Sequence, residues 1–232
     1  MQTMNLDTIV HAIATWIIPL VIAIVFHEVA HGRVAYALGD PTARDRNRLS
    51  FNPIEHVDPL GTILVPLGLA IAHLPVFGWA KPVPVVASRL RNPRRDMMIV
   101  ALAGPAMNLL LALAAALLLA AFFALWHGDP STGVGLLLKE NLGNFIAINA
   151  FLAVFNLLPI PPFDGGHVAV GLLPRTLARH YAQLARYAFP VMLFLLVILP
   201  SIVPAANVVQ RVVGPPADAL IGFFFGIAGL QA

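Results

Sequence analysis

In FHEVAHGRVAYALGD, residues 26–40, two histidines bracket a glutamate in the order His27-Glu28-Val29-Ala30-His31. On an α-helix, residues four apart are offset by about 40° around the axis and roughly 6 Å along it, so both imidazoles can reach one metal ion. Glu28, one residue past the first imidazole, reaches a water at that ion instead of the ion itself. This is the H-E-x-x-H arrangement of zinc proteases, with two ligands, a carboxylate base and a third ligand supplied from elsewhere. The motif follows the apolar run WIIPLVIAIV, and an ionised side chain at the centre of a membrane helix costs about 2.5–3.5 kcal/mol, so it persists where it is paired, metal-bound or wet. The same cost points to the third ligand. In NLLPIPPFDGGH, residues 156–167, Pro159, Pro161 and Pro162 stop a helix and Gly165 and Gly166 let the backbone turn, so Asp164 is expected on a short extended piece that aims its carboxylate. Capping the helix GGHVAVGLL is the other use open to Asp164. His167 competes as a ligand, although a supporting role beside the ligands suits it better.

Such residues need membrane helices to position them. Of the 232 residues, 59% are hydrophobic and 11% charged, where a soluble domain carries roughly a quarter charged residues; mean hydropathy is +0.84. The expected fold is an all-α polytopic membrane protein of about five to six apolar helices, embedded in a lipid bilayer. With no cysteine in the chain, disulfides, thiolate nucleophiles and Cys-based metal sites are excluded, and a metal must be held by His, Asp or Glu. The net charge is +3 and the pI about 9.8, but the 14 Lys and Arg are spread through loops. They read as topology signals and not as a nucleic-acid-binding face, so no nucleic acid partner is expected.

The first helix is expected over residues 7–38, with a kink at Pro19 and a stop at Gly39-Asp40-Pro41. No Lys or Arg precedes Arg33, which argues against a cleavable signal peptide. After it come Arg44, Arg46 and Arg48 and the turn-rich SFNPIEHVDPLG, then an apolar stretch over 61–79 broken by Pro66 and Pro75, then KPVPVVASRLRNPRRD. Both flanks of the 61–79 stretch are basic, so the positive-inside rule makes it a re-entrant or shallow element and not a full span; a re-entrant or short β-like element is thus expected between the first helix and the GPAMN helix. Residues 97–126 form the clearest span and end in HGDPSTG, a loop without Lys or Arg that belongs outside. Residues 141–158 return to PIPPFDGG, and Arg175, Arg179 and Arg186 mark the cytoplasmic side again. HEVAH and PPFDGG thus end on one face. Apolar stretches at 187–203 and 220–230 complete the chain.

Together HEVAHGRVAYALGD, FNPIEHVDPLGTILVP, FGWAKPVPV, GPAMN and NLLPIPPFDGGH, spanning residues 27–167, resemble the site-2 protease family of intramembrane zinc metalloproteases in its short bacterial and archaeal form. The resemblance implies one domain over residues 1–232, with a catalytic core of about 7–173 and additional C-terminal helices over 178–232. It implies one Zn²⁺ per chain held by His27, His31 and Asp164, with Glu28 as general base. The substrate would be a transmembrane protein cut within or next to a membrane helix, and the location a prokaryotic cell (inner) membrane with the active site towards the cytoplasm. Asn156 is implied to lie near the substrate, where its amide can hold the substrate backbone or an oxyanion. Asn108, in the GPAMN element, is a second such candidate, though an Asn in an apolar helix often only bonds a neighbouring helix. His56 belongs to a family-like loop, with loop stabilisation or support of the site as its role. Longer family members carry an inserted PDZ domain or a fused CBS domain, for which the loop over 127–138 leaves no room.

Two other classes place His and Asp at membrane depth. A metal transporter needs polar residues along successive spans, yet residues 97–126 hold only Asn108 as a polar side chain before Trp126 once the helix has entered its apolar stretch. A catalytically silent scaffold that binds transmembrane helices has no use for Glu28.

Overall fold

The computed structural model describes residues 10–72, 78–203 and 207–230. Helix α1, Val10–Ala37, is shaped by its proline. Pro19 has no N–H to give to the Thr15 carbonyl. The chain widens there into a π-turn, Ile13–Ile17, and the Thr15 carbonyl accepts instead from Asn144 Nδ2 at 2.8 Å. The disturbance expected at Pro19 is therefore a π-turn ahead of it, stitched to a later helix. α1 ends where Gly39 takes a φ of 112°, a left-handed value that side chains resist.

A short apolar helix, α2, covers Pro59–Ile71, with Asp58 Oδ1 accepting from the Gly61 N–H at 2.7 Å to cap it. Residues 73–77, part of the 61–79 stretch, lie outside the described residues. α3 covers Pro93–Leu125, α4 Gly133–Asn156, α5 Asp164–Leu172, α6 Arg175–Ile202 and α7 Gly214–Ile227. Among the described residues α1, α3 and α6 are long and apolar enough to cross a membrane, and no strand is present. The protein is an all-α integral membrane protein.

The β-like alternative between α1 and α3 is not taken up in the described residues. Residues 78–86 run without helix, and Pro82 and Pro84 have no N–H to offer a ladder. The N–H groups of Lys81, Val83 and Val86 go instead to the His56 carbonyl at 2.9 Å, Glu28 Oε2 at 2.8 Å and Asp40 Oδ2 at 2.6 Å.

α3 is the central element, packing against α1, α4, α5 and α7. Ala112, Ala115 and Ala116 keep its inner face small, so Ile146 of α4 and Phe224 of α7 come close enough to bury Leu119 completely. Its other face exposes Leu110, Leu117 and Leu118, each more than half accessible. Bilayer lipid covers such a surface.

Candidate metal centre and active site

α1 and α3 run antiparallel and meet along rows of residues spaced by four. Along α1 the row is His27 and His31; along α3 it is Val100, Gly104 and Asn108. At one end His27 Nδ1 bonds Asn108 Oδ1 at 2.6 Å, and at the other His31 Nδ1 bonds the Val100 carbonyl at 2.7 Å. Both partners are acceptors, so each Nδ1 carries the ring proton and each Nε2 presents a lone pair. Between them sits Gly104, where a Cβ would run into His31 Nε2 and His27 Nε2. The glycine of GPAMN is required by this close approach. Pro105, next to it, lacks the N–H that would pair with the Ala101 carbonyl.

Asp164 comes to the same point from the other side. After α4 the chain folds back through residues 157–163, and Gly165 is needed because a Cβ there would strike the carbonyls of Leu157 and Leu158. Asp164 is the first residue of α5 and not part of an extended piece, because the turn completes at Phe163 and the two glycines already lie inside the helix. Its Oδ2 stands 3.2 Å from His27 Nε2 and 3.3 Å from His31 Nε2, and the two Nε2 atoms are 3.0 Å apart. Asp164 Oδ2 is buried and accepts no hydrogen bond. With both rings neutral and protonated on Nδ1, three lone pairs converge at those distances, an arrangement that repels itself unless a cation sits at its centre.

The donor set fits zinc. Two imidazole nitrogens and one carboxylate oxygen suit Zn²⁺, and ligands at about 2.0–2.1 Å in a tetrahedron stand about 3.3–3.4 Å apart, close to the spacing here. The three are the group of His, Cys, Asp or Glu residues among the described residues whose donor atoms lie within 4.8 Å of one another. Behind the donors, Asn108 and the Val100 carbonyl orient the rings, the usual way a metal-binding histidine is held.

A cleft of about 610 Å³ opens onto this triad, with Glu28, Val83, Asn156 and His167 on its walls among apolar side chains such as Phe155, Phe189 and Met192. Asn156 Nδ2 donates one N–H to the Leu152 carbonyl at 3.0 Å. His167 lines the cleft one turn after Asp164 but makes no hydrogen bond to it among the described residues. Asn108 is fully buried behind His27, bonded to His27, Asn149 and, at 3.4 Å, the Ala23 carbonyl. That geometry takes it out of reach of a substrate. His56 lies in the loop before α2, its Nε2 bonded to the Ser50 carbonyl at 2.9 Å; its own carbonyl holds Lys81, two residues before Val83. Sequence reasoning did not single out Val83 or Asn149. The first acts through a backbone N–H, which no side-chain pattern reveals, and the second is one asparagine among several in α4.

A protein of Bacillus subtilis (strain 168) named "Putative zinc metalloprotease YwhC" is 39% identical over 186 residues, covering 78% of this chain and 79% of the relative. The model of peptidase family M50 matches residues 136–199. The chain belongs to peptidase family M50. Proteins named Rip2, with the same zinc-metalloprotease description, match at 34% identity: that of Mycolicibacterium smegmatis over 84% of this chain and 68% of its own length, and that of Mycobacterium tuberculosis H37Rv over 67% and 54%. No solved structure matches. As an M50 peptidase of the site-2 type, the protein is an intramembrane zinc metalloprotease, and its cofactor is Zn²⁺. The transporter and silent-scaffold readings are not favoured. The stretch matched by the M50 model contains Asn156 and Asp164.

Proposed function

We propose that His27, His31 and Asp164 hold the zinc ion and that Glu28 is the general base for hydrolysing a peptide bond within or next to a transmembrane helix of a membrane-protein substrate. The observation that carries this reading is the convergence of three donor atoms 3.0–3.3 Å apart, with Glu28 on the wall of the same cleft. When bound, zinc supplies a Lewis acid that acidifies a water and polarises the scissile carbonyl. The Val83 N–H bond to Oε2 fixes the carboxylate of Glu28, whose other oxygen takes the proton of the attacking water and returns it to the leaving amine nitrogen. Asn156 spends one amide N–H on the Leu152 carbonyl and keeps the second N–H and its oxygen, so the amide can hold a substrate backbone group or an oxyanion. Asn108 orients His27. His167 remains a supporting residue on the cleft wall, and His56 supports the loop that carries Lys81.

The substrate helix hides its carbonyls in its own hydrogen bonds, so it unwinds locally before a peptide bond reaches the site, and helix-breaking residues favour cleavage. We take residues 1–232 as one protease domain, with a core of about 7–173 and supporting helices beyond it. α4 and α7, the latter lengthened to about 28 Å by the π-turn Val209–Val213 that runs into it, join α1, α3 and α6 as membrane helices, giving five. α2 is a re-entrant element, because its two short segments amount to about 20 Å of helix against a hydrocarbon core of about 30 Å. The protein is placed in a prokaryotic cell membrane with the site towards the cytoplasm.

The test is purified protein with a transmembrane reporter substrate. Glu28→Ala and chelator treatment should each abolish cleavage. Wild-type cleavage by Glu28→Ala sinks the mechanism, and unchanged zinc content in Asp164→Ala transfers the third ligand position to His167.

A further inference from the structure

The asparagine that orients His27 is itself without a preferred direction. An amide presents an acceptor and a donor of nearly equal size, and turning Asn108 over would offer His27 an N–H instead of an oxygen. His27 would then carry its proton on Nε2, pointing at the metal position. Something must fix the direction, and it lies one helix further out. Asn149 of α4 is fully buried. Its Nδ2 donates to the Phe145 carbonyl at 2.8 Å and its Oδ1 accepts from Asn108 Nδ2 at 2.8 Å. A carbonyl can only accept, so the order is forced outward from it. Asn149 must turn its nitrogen to Phe145 and its oxygen to Asn108; Asn108 must turn its nitrogen to Asn149 and its oxygen to His27; His27 must place its proton on Nδ1.

We infer that Asn149 is a positioning residue of the zinc site, setting the tautomer of His27 through Asn108 and so keeping the Nε2 lone pair free for the metal. This rests on the reading of His27 as a ligand. Partners one step removed from the metal change its affinity by about 10–100-fold when lost, and that is the size of effect expected here. Asn108 keeps a weaker second anchor, the Ala23 carbonyl at 3.4 Å.

The experiment measures zinc affinity of the full-length protein by chelator competition, with thermal unfolding of each metal-free variant read alongside. Asn149→Leu should weaken zinc binding about 10–100-fold. Asn149→Asp, which keeps an acceptor for Asn108, should stay within a few-fold of wild type. Adding Asn149→Leu to Asn108→Leu should cost nothing further, because the second residue acts only through the first. Where Asn149→Leu does not accumulate, Asn149→Ala removes the same acceptor and is read in its place. Unchanged zinc affinity in the variant lacking the acceptor, or losses that multiply in the double variant, overturns the inference. His27→Ala separates the two levels. If it leaves zinc binding intact, the ligand assignment falls; if it abolishes binding that Asn149→Leu retains, only the relay falls.

Discussion

Two imidazoles four residues apart make a metal site only if something small stands opposite them, and Gly104 is that residue. A Cβ there would occupy the space at the two Nε2 atoms, which neither ring can yield while its Nδ1 is bonded to Asn108 or Val100. Gly104→Ala therefore has two ways to respond. Either α3 moves off α1, or the rings turn and the Nδ1 bonds break; overpacking of this kind costs about 1–3 kcal/mol. Both responses spoil the spacing of the three donors. The expected outcome is a folded protein with sharply reduced zinc content and no proteolysis, read by metal analysis beside a thermal unfolding curve. A variant that binds stoichiometric zinc would mean the helices can separate at no cost to the site.

At the scale of elements, the metal helix is tied to the cleft wall by one acid beyond the membrane span. Asp40, just after α1, accepts from the Thr42 N–H at 3.0 Å, from the Thr42 hydroxyl and from the Val86 N–H at 2.6 Å. Burial pushes its carboxyl up, but these hydrogen bonds, the Thr42 hydroxyl foremost, and the charge of Arg89 outweigh it and hold it below its ordinary value. A carboxylate depressed in the fold contributes stability above its unfolded value of about 3.9 and loses it as pH falls through the lower folded value. Asp40→Asn puts an amide NH₂ where an oxygen met an N–H. It should lower stability at neutral pH by about 1–3 kcal/mol and flatten the decline below about pH 4, measured by unfolding from pH 7 to pH 3. A variant with the wild-type acid profile would show that this tie is idle. The strength of such ties explains what the sequence could reveal. HEVAH, the Asp164 turn and the clear spans were legible because helical spacing, proline and hydropathy are local signals. The run over 78–86 was not, because its N–H groups are taken by Glu28, Asp40 and His56, partners far away in sequence. The helical start of Asp164 was hidden for a related reason: glycines that suggest a turn sit inside α5, where their lack of Cβ serves the approach to Leu157 and Leu158.

Across the whole molecule, charge and active site share one end. α1 finishes and α3 and α6 begin at the end where Arg44, Arg46, Arg91, Arg95 and Arg175 are exposed, and the His27–His31 turn and Asp164 lie towards it. The turn between α3 and α4 at the opposite end contains Asp129 and no Lys or Arg. The positive-inside rule supports the proposal that the basic end faces the cytoplasm, in which case a substrate helix is cut near its cytoplasmic portion. Because the chain has no cysteine, single replacements give a clean readout. Thr176→Cys reports the basic end and Ser131→Cys the other, both at exposed positions and without changing charge. With a membrane-impermeant maleimide and the protein produced in bacterial cells, Ser131→Cys should label from outside the inner membrane, and Thr176→Cys only in inverted vesicles. The reverse pattern would turn the site outward and place its cleavage products on the other side of the membrane; labelling of both positions from one side would remove the crossing of α4.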